Sequence, residues 1–206
     1  MCPWLSRVTV SPGFVALLTL FVLQGEGAAA AALLTAAAAH EAGHLAALYR
    51  FGVPVSALRI GAFGARLETV GRGRLSYGRE LCTVLSGPVV NVLCALALAW
   101  AAGRFSWPGG FLCAGAHLVL GGFNLLPIPP LDGGRALCLL LSWLLGPDRG
   151  ERLSAAAGGE ALVLLALAGA YVAVRSGGNV WLLVGIAGLI GTFAGEMGLV
   201  KRRRTG

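Results

Sequence analysis

Two histidines and a glutamate stand within five residues of one another near the end of an apolar stretch, as His40-Glu41-Ala42-Gly43-His44. On a helix, histidines four residues apart lie on one face, where both imidazoles can reach a single zinc ion. The glutamate between them can hold and deprotonate a zinc-bound water. The spacing therefore predicts a hydrolytic site with one Zn2+ per chain, with His40 and His44 as ligands and Glu41 as the general acid/base.

The composition indicates an integral membrane protein. The 206 residues are 57% hydrophobic and 12% charged, and their mean hydropathy is +0.79, whereas soluble domains carry roughly twice that charged fraction. The net charge of +7 does not indicate binding to nucleic acid, because no basic stripe is interleaved with aromatic residues. The five cysteines are scattered and form no Cys-x-x-Cys pair, so we interpret them as small apolar helix residues.

Apolar runs near the length that crosses a bilayer, about 20 residues, recur along the chain. They predict an all-α polytopic membrane protein with about six transmembrane helices, or seven, in a single domain over 1–206 with a three-helix catalytic core at about 28–145. The first run is interpreted as a retained helix rather than a signal peptide. Residues 50–79 alternate and carry glycines, which predicts a short β-hairpin at the membrane surface. The runs lie at about 8–23, 28–49, 80–102, 111–135 (interrupted by prolines), 160–174 and 179–200, with a further helix at 136–145 and a charged loop at 148–152.

The basic residues predict the orientation in the membrane. With six crossings and the N-terminus inside, the inner segments hold nearly all of the 16 basic residues, and the outer side holds Arg104 and Arg175. This split predicts a multi-pass protein of the cell membrane with both termini cytoplasmic. The second helix then runs from outside to inside, so His40 and His44 should lie toward the cytoplasmic side.

Asp132 is the candidate for the third ligand, which a catalytic zinc needs beside an open position for water. Most of the nine acidic residues fall in expected loops or at helix ends. Asp132 instead lies in the interrupted segment, at the inner depth expected for the two histidines, and Gly133 and Gly134 after it let the backbone approach closely. The alternative is a turn residue in an Asp-Gly reverse turn.

Three further polar side chains lie in apolar surroundings. His117 should lie nearer the outer face, and as a fourth ligand it would displace the water, so we expect a packed or hydrogen-bonded helix histidine. Asn91 and Asn124 each have two interpretations, namely hydrogen bonding between helices or a donor to the oxyanion or the substrate backbone. The broken segment beside Asn124 favours the second interpretation there, and the first is favoured for Asn91.

The motifs together resemble a known family. They are His40-Glu41-Ala42-Gly43-His44, Ser86-Gly87-Pro88 with Asn91, and Asn124-Leu125-Leu126-Pro127 with Leu131-Asp132-Gly133, in this order on three successive apolar segments. They resemble the site-2 protease family of intramembrane zinc metalloproteases over about 28–145, and residues 124–135 are most similar to the branch of the stage IV sporulation protein FB. The resemblance implies the same three ligands, Glu41 as the catalytic residue, and an extended substrate held by Asn124.

The resemblance also implies an activity, which is hydrolysis of peptide bonds in or beside transmembrane segments of other membrane proteins. It implies a lipid bilayer as the environment and leaves the identity of any inhibitory or regulatory membrane partner open. Members of the sporulation branch usually carry a CBS domain and other branches a PDZ domain. We expect neither here, which weakens the case for a role in sporulation. An unwound substrate could pair with residues 50–79 by strand addition.

Two other classes of protein are compatible with these residues. A zinc transporter or sensor would use the same ligands but needs a polar path through both halves of the membrane, and the helices offer few polar groups outside the motifs. An inactive relative that binds membrane proteins usually lacks a ligand or the glutamate, whereas this chain keeps all four residues. Cleavage of candidate membrane substrates by wild type and by Glu41→Gln distinguishes the three classes.

Overall fold

The fold is mainly helical, with one small sheet. A computed structural model describes residues 7–23, 25–61, 64–69, 75–175 and 185–195. The chain divides into two compact units, Met1–Asn124 and Leu125–Gly206. The first contains β1 (Arg7–Val10), α1 (Pro12–Leu23), α2 (Gly27–Arg50), β2 (Val55–Gly61), β3 (Gly64–Thr69), α3 (Tyr77–Arg104) and α4 (Pro108–Asn124), and the second contains α5 (Asp132–Leu145), α6 (Pro147–Arg175) and α7 (Gly185–Gly195).

Small residues bring the helices of the first unit close together. The helices α2, α3 and α4 pack against one another, and the buried residues Ala32 and Ala36 of α2 form a cluster with Ala116 of α4. Gly43 of α2 faces the backbone of α3, because a Cβ atom added there would lie 2.7 Å from the carbonyl oxygen of Ser86. Close approach of backbones at small residues is typical of helices that pack within membranes.

This close approach predicts that Gly43→Ala destabilises the protein. The new methyl group would meet backbone atoms of α3, which cannot swing away as a flexible side chain can. Overpacking of this kind costs about 1–3 kcal/mol, more than the gain of about 1 kcal/mol in helix propensity. Unfolding of the purified protein in mixed micelles measures the change. Gly27→Ala at the start of α2, where an added Cβ meets nothing within 4 Å, is the control; equal stability of both variants would contradict the prediction.

The hairpin predicted within residues 50–79 is present, as β2 paired antiparallel with β3. A third strand, β1, pairs in parallel with β2 and gives the order β1-β2-β3. The prediction of a helix over 8–23 is therefore wrong for its first residues. Val8, Thr9 and Val10 are all β-branched, which favours a strand, and α1 begins only at Pro12, a residue that suits the first turn of a helix.

Two helices of the second unit, α5 and α6, begin earlier than predicted. Helix α5 begins at Asp132 rather than near 136. The charged loop predicted at 148–152 and the helix start predicted at 160 are wrong, since α6 is continuous from Pro147. A proline at the start and Asp148 in the first turn both favour a helix N-terminus. The core of this unit is formed by Ile128, Leu131, Leu162 and Leu189.

Within the described residues, two helices are long and apolar enough to cross a membrane, namely α3 with 28 residues and α6 with 29. Their most apolar windows are only 33% and 22% buried, whereas the core helix of a soluble protein is mostly buried. Large apolar side chains such as Trp100 and Leu164 point outward, as contact with lipid requires. The six crossings are not confirmed, and the run predicted at 179–200 lies partly outside the described residues.

Candidate metal centre

His40 and His44 lie one turn apart on the buried face of α2. Their Nε2 atoms are 3.1 Å apart. Two nitrogen ligands of one tetrahedral zinc ion, each about 2.0–2.1 Å from the metal, are expected to lie about 3.3–3.4 Å apart. The two imidazoles are therefore spaced as a pair of ligands to a single ion.

Helix α3 presents a matching face to these histidines. Thr83, Gly87 and Asn91 recur every four residues and so lie along one side of α3. The Nδ1 atom of His44 lies 2.8 Å from the carbonyl oxygen of Thr83. Because a carbonyl oxygen only accepts, His44 carries its hydrogen on Nδ1 and keeps a lone pair on Nε2. Such a hydrogen bond orients a histidine that binds a metal through its other nitrogen.

Gly87 keeps the space in front of both Nε2 atoms clear. A Cβ atom added there would lie 2.8 Å from Nε2 of His40 and closer still to Nε2 of His44. In the sequence, Gly87 is part of the Ser86-Gly87-Pro88 motif, but the motif alone predicted no role for it. Its spacing of four residues from Asn91 was the available signal, since it places both residues on the face that meets α2.

Asn91 joins the histidine motif to His117. Asn91 is fully buried, and its Nδ2 atom lies 3.4 Å from Nδ1 of His40. Its Oδ1 atom lies 3.3 Å from Nδ1 of the buried His117 on α4. The prediction that His117 is a hydrogen-bonded helix histidine is confirmed. The contacts of Asn91 with two helices favour its interpretation as a link between helices, and a role toward an oxyanion stays a prediction.

Glu41 and Asn124 are the two remaining candidates in the first unit. Glu41 is half-buried on α2, next to His40. Asn124 is the last residue of α4, and its Nδ2 atom donates to the carbonyl oxygen of Leu120 at 3.0 Å. Part of its donor capacity is thus used within its own helix, and a role in holding substrate stays a prediction.

Asp132, in the second unit, is buried and is the first residue of α5. The N-terminus of a helix stabilises negative charge. A Cβ atom on Gly133 would lie 2.5 Å from the carbonyl oxygen of Leu126, and one on Gly134 would lie 2.8 Å from that of Ile128. The residues before the helix therefore fold tightly against its first turn, as the two glycines predicted.

The donor chemistry of these residues fits zinc. His40, His44 and Asp132 are all buried and offer two imidazole nitrogens and one carboxylate oxygen. Zinc binds these donor types, and three protein ligands leave one position for water or substrate in a catalytic site. The tautomer of His44 set by the Thr83 carbonyl also fits. We find no feature of the three side chains that opposes a zinc ion.

Two of the known proteins that are similar to this chain carry the name zinc metalloprotease. No family model matches the chain. It is 28% identical over 138 residues to the zinc metalloprotease MJ0392 of Methanocaldococcus jannaschii, covering 63% of this chain and 39% of the relative. It is 29% identical over 160 residues to the stage IV sporulation protein FB of Bacillus subtilis, covering 75% and 55%. It is 32% identical over 191 residues to Rip3 of Mycobacterium tuberculosis, covering 86% and 48%.

A solved structure of another protein has a similar fold. The site-2 protease from Methanocaldococcus jannaschii matches with a TM-score of 0.69 at 20% identity, covering 96% of this chain and 93% of that one. The chain belongs to the site-2 protease family. It spans about half the length of the curated relatives it matches. The chain is about equally identical to all three relatives, so these values do not distinguish between branches of the family. Membership in the sporulation branch stays a prediction.

Proposed function

We propose that this chain is an intramembrane zinc metalloprotease that hydrolyses peptide bonds in or near transmembrane segments of other membrane proteins. The observation that carries the proposal is the pair of buried imidazoles, 3.1 Å apart at Nε2, with Glu41 between them on the same helix. Two histidines and a glutamate in this arrangement are the parts of a zinc hydrolase. Membership in the site-2 protease family supports the choice of a peptide bond as the substrate.

Each of the four residues has a defined task in this proposal. His40, His44 and Asp132 hold one zinc ion, which supplies Lewis-acid polarisation of the scissile carbonyl and makes water acidic enough to act near neutral pH. Glu41 accepts the proton of the attacking water and delivers it to the leaving amine. The Thr83 carbonyl keeps His44 in the tautomer that a ligand needs.

The substrate must present an extended backbone, because the carbonyls of a helix are already hydrogen-bonded. Strand β3 pairs only with β2 among the described residues, so its other side is an edge of the sheet. We propose that the unwound substrate adds to this sheet, a common way of holding an extended peptide. We propose that Asn124 helps to hold the backbone of the substrate beside this sheet.

A location in the cell membrane, with several crossings and both termini in the cytoplasm, is part of the proposal. The exposed apolar side chains of α3 and α6 support insertion in a bilayer. The unequal distribution of basic residues supports the orientation. A role in sporulation has one supporting observation, the similarity to the stage IV sporulation protein FB, and we leave it outside the proposal.

The three ligands predict that each chain binds one zinc ion and that Asp132→Asn lowers the affinity for zinc. An amide cannot provide the anionic oxygen donor, and the expected loss of zinc affinity is at least about tenfold. Elemental analysis of the purified protein and competition with a chelator measure stoichiometry and affinity. Asp148→Asn, an exposed residue in the first turn of α6, is the matched control. Equal zinc affinity in Asp132→Asn and wild type would remove Asp132 from the ligand set.

A further inference from the structure

The sheet of β1, β2 and β3 separates apolar from basic side chains onto its two faces. The register aligns residues 7–10, 57–60 and 65–68 side by side. Neighbours across paired strands lie on the same face, and successive residues of a strand alternate between faces. The apolar face carries Val8, Val10, Leu58, Ile60, Ala65 and Leu67. The basic face carries Arg7, Thr9, Ala57, Arg59, Arg66 and Glu68.

Strand β1 is uncovered on both faces of the sheet. Val8 and Val10 on the apolar face are 56% and 48% exposed, and Arg7 and Thr9 on the basic face are exposed as well. An antiparallel or mixed sheet of a soluble protein packs its apolar face on the core. The part of the chain that the structure describes does not cover these valines, so their apolar surroundings must come from outside it.

The basic face carries more positive charge than its one carboxylate can balance. The Nε atom of Arg59 lies 2.6 Å from Oε1 of Glu68, so this pair is neutral. Arg66 lies directly opposite Arg59 in the register, and like charges at such positions repel one another. Within the described ranges, Arg7 and Arg66 form no ion pair. Two guanidinium groups of this face are therefore open to an anion from outside.

The ends of two neighbouring helices place the hairpin at the level of a membrane surface. Helix α2 ends at Arg50, α3 begins at Tyr77, and the hairpin of β2 and β3 lies between them in the chain. Tyr49 and Tyr77 are exposed at these ends, and Trp100 is exposed near the other end of α3. Aromatic side chains of this kind are enriched at both membrane surfaces. Tyr77 and Trp100 are 23 residues apart, or about 35 Å of helix, close to the ~30 Å hydrocarbon core.

Ser11 joins the sheet directly to α1. Its N–H donates to the carbonyl oxygen of Ile60 at 2.8 Å, and its Oγ accepts from the N–H of Phe14 at 3.2 Å. The residue thus ends the sheet and caps the helix. Val15 and Val22 of α1 are exposed, so an uncovered apolar helix begins where the sheet ends. Both elements require the same apolar surroundings.

We propose that the sheet binds the anionic surface of the bilayer, with its apolar face against the acyl chains and with Arg7 and Arg66 on the phosphate groups of anionic phospholipids. The inference rests on the membrane location in the proposed function. An amphipathic element at this level buries its apolar side only about 5–10 Å, which leaves its backbone among the head groups. Arginine on the opposite face then reaches phosphate, which its planar guanidinium binds well. Lipid on the faces leaves the outer edge of β3 open to a substrate strand.

Photocrosslinking from two adjacent residues of β1 tests the assignment of the faces. A diazirine amino acid replaces Val10 or Thr9, one at a time, in the full-length protein, which is reconstituted in vesicles of phosphatidylglycerol and phosphatidylcholine in equal amounts. At Val10 we expect adducts with acyl chains. At Thr9 we expect phosphatidylglycerol adducts to exceed phosphatidylcholine adducts by about fivefold, the effect of one arginine near an anionic surface. Adducts of Val10 with protein alone would overturn the inference and indicate a second copy or a substrate as the occupant.

Removal of charge tests the contribution of the two arginines. Arg7→Gln/Arg66→Gln should bring the two lipids to nearly equal labelling at Thr9, while the acyl-chain adducts at Val10 persist. Arg104→Gln/Arg175→Gln removes the same charge from exposed positions at the ends of α3 and α6, and it should keep the preference. An equal loss of preference in both double variants would refute the assignment to the basic face, since the net charge of the protein would then account for the attraction.

A probe on α3 separates failure of this inference from failure of the proposed membrane location. Leu93 is exposed in the middle part of α3. If a diazirine at Leu93 forms no adducts with lipid, the proposed location is wrong and the inference falls with it. If Leu93 labels acyl chains but Val10 does not, the location stands and the assignment of the apolar face is wrong.

Discussion

Glu41→Gln is expected to abolish peptide-bond hydrolysis while the protein keeps its zinc. Glutamine has nearly the shape of glutamate, so the packing of α2 around the half-buried side chain should persist. An amide cannot accept the proton of the attacking water, and loss of a general acid/base lowers rates by about 10²–10⁴-fold. Cleavage of a membrane-protein substrate co-reconstituted with the purified enzyme measures the rate, and elemental analysis measures zinc.

The control for this prediction is Glu160→Gln, a charge removal at an exposed position on α6. It should cleave at the wild-type rate. If Glu41→Gln loses zinc together with activity, Glu41 acts on the metal centre itself rather than on proton transfer. If it retains more than about a tenth of the activity, the general acid/base is another group. Absence of cleavage in wild type as well would favour the transporter, sensor or inactive-relative classes.

The parts of the site that sequence predicted are those that depend on local spacing. Histidines at 40 and 44 must share a face of α2 wherever that helix packs, and they do. The prolines from 127 to 130 had to interrupt a helix, and α4 ends at Asn124 while α5 begins at Asp132. The hairpin of β2 and β3 follows from alternation and glycines in neighbouring residues.

The missed features depend on contacts between residues far apart in the chain. Strand β1 pairs with β2, whose partner residues lie some fifty positions later, for example Val8 with Leu58. No local pattern reveals such a partner. His117 was expected to form some hydrogen bond, but its partner Asn91 is defined only by the faces through which α3 and α4 meet. Gly87 matters because it has no side chain. This can be recognised only from the structure, in which two imidazoles pack against it.

Gly87→Ala is expected to remove zinc while leaving the fold in place. The added Cβ would lie 2.8 Å from Nε2 of His40 and closer still to Nε2 of His44. These atoms are the ends of side chains that can rotate, so the rings should move aside while the backbones of α2 and α3 stay packed. Moving them breaks the bond from His44 to Thr83 and blocks the position of the ion. We expect zinc affinity to fall by about 100-fold or more, and cleavage to fall with it.

Two other glycine substitutions show whether this effect is specific to the metal centre. Gly103→Ala on the same helix adds a methyl group where nothing lies within 4 Å, so stability and zinc affinity should match wild type or improve slightly. Gly43→Ala places its methyl group against the Ser86 carbonyl, which cannot rotate away, so its main effect should be on the free energy of unfolding. If Gly87→Ala instead lowers stability as much as Gly43→Ala and keeps its zinc, the imidazoles do not bind the ion on the side that faces α3. The metal centre would then require a different arrangement of His40 and His44.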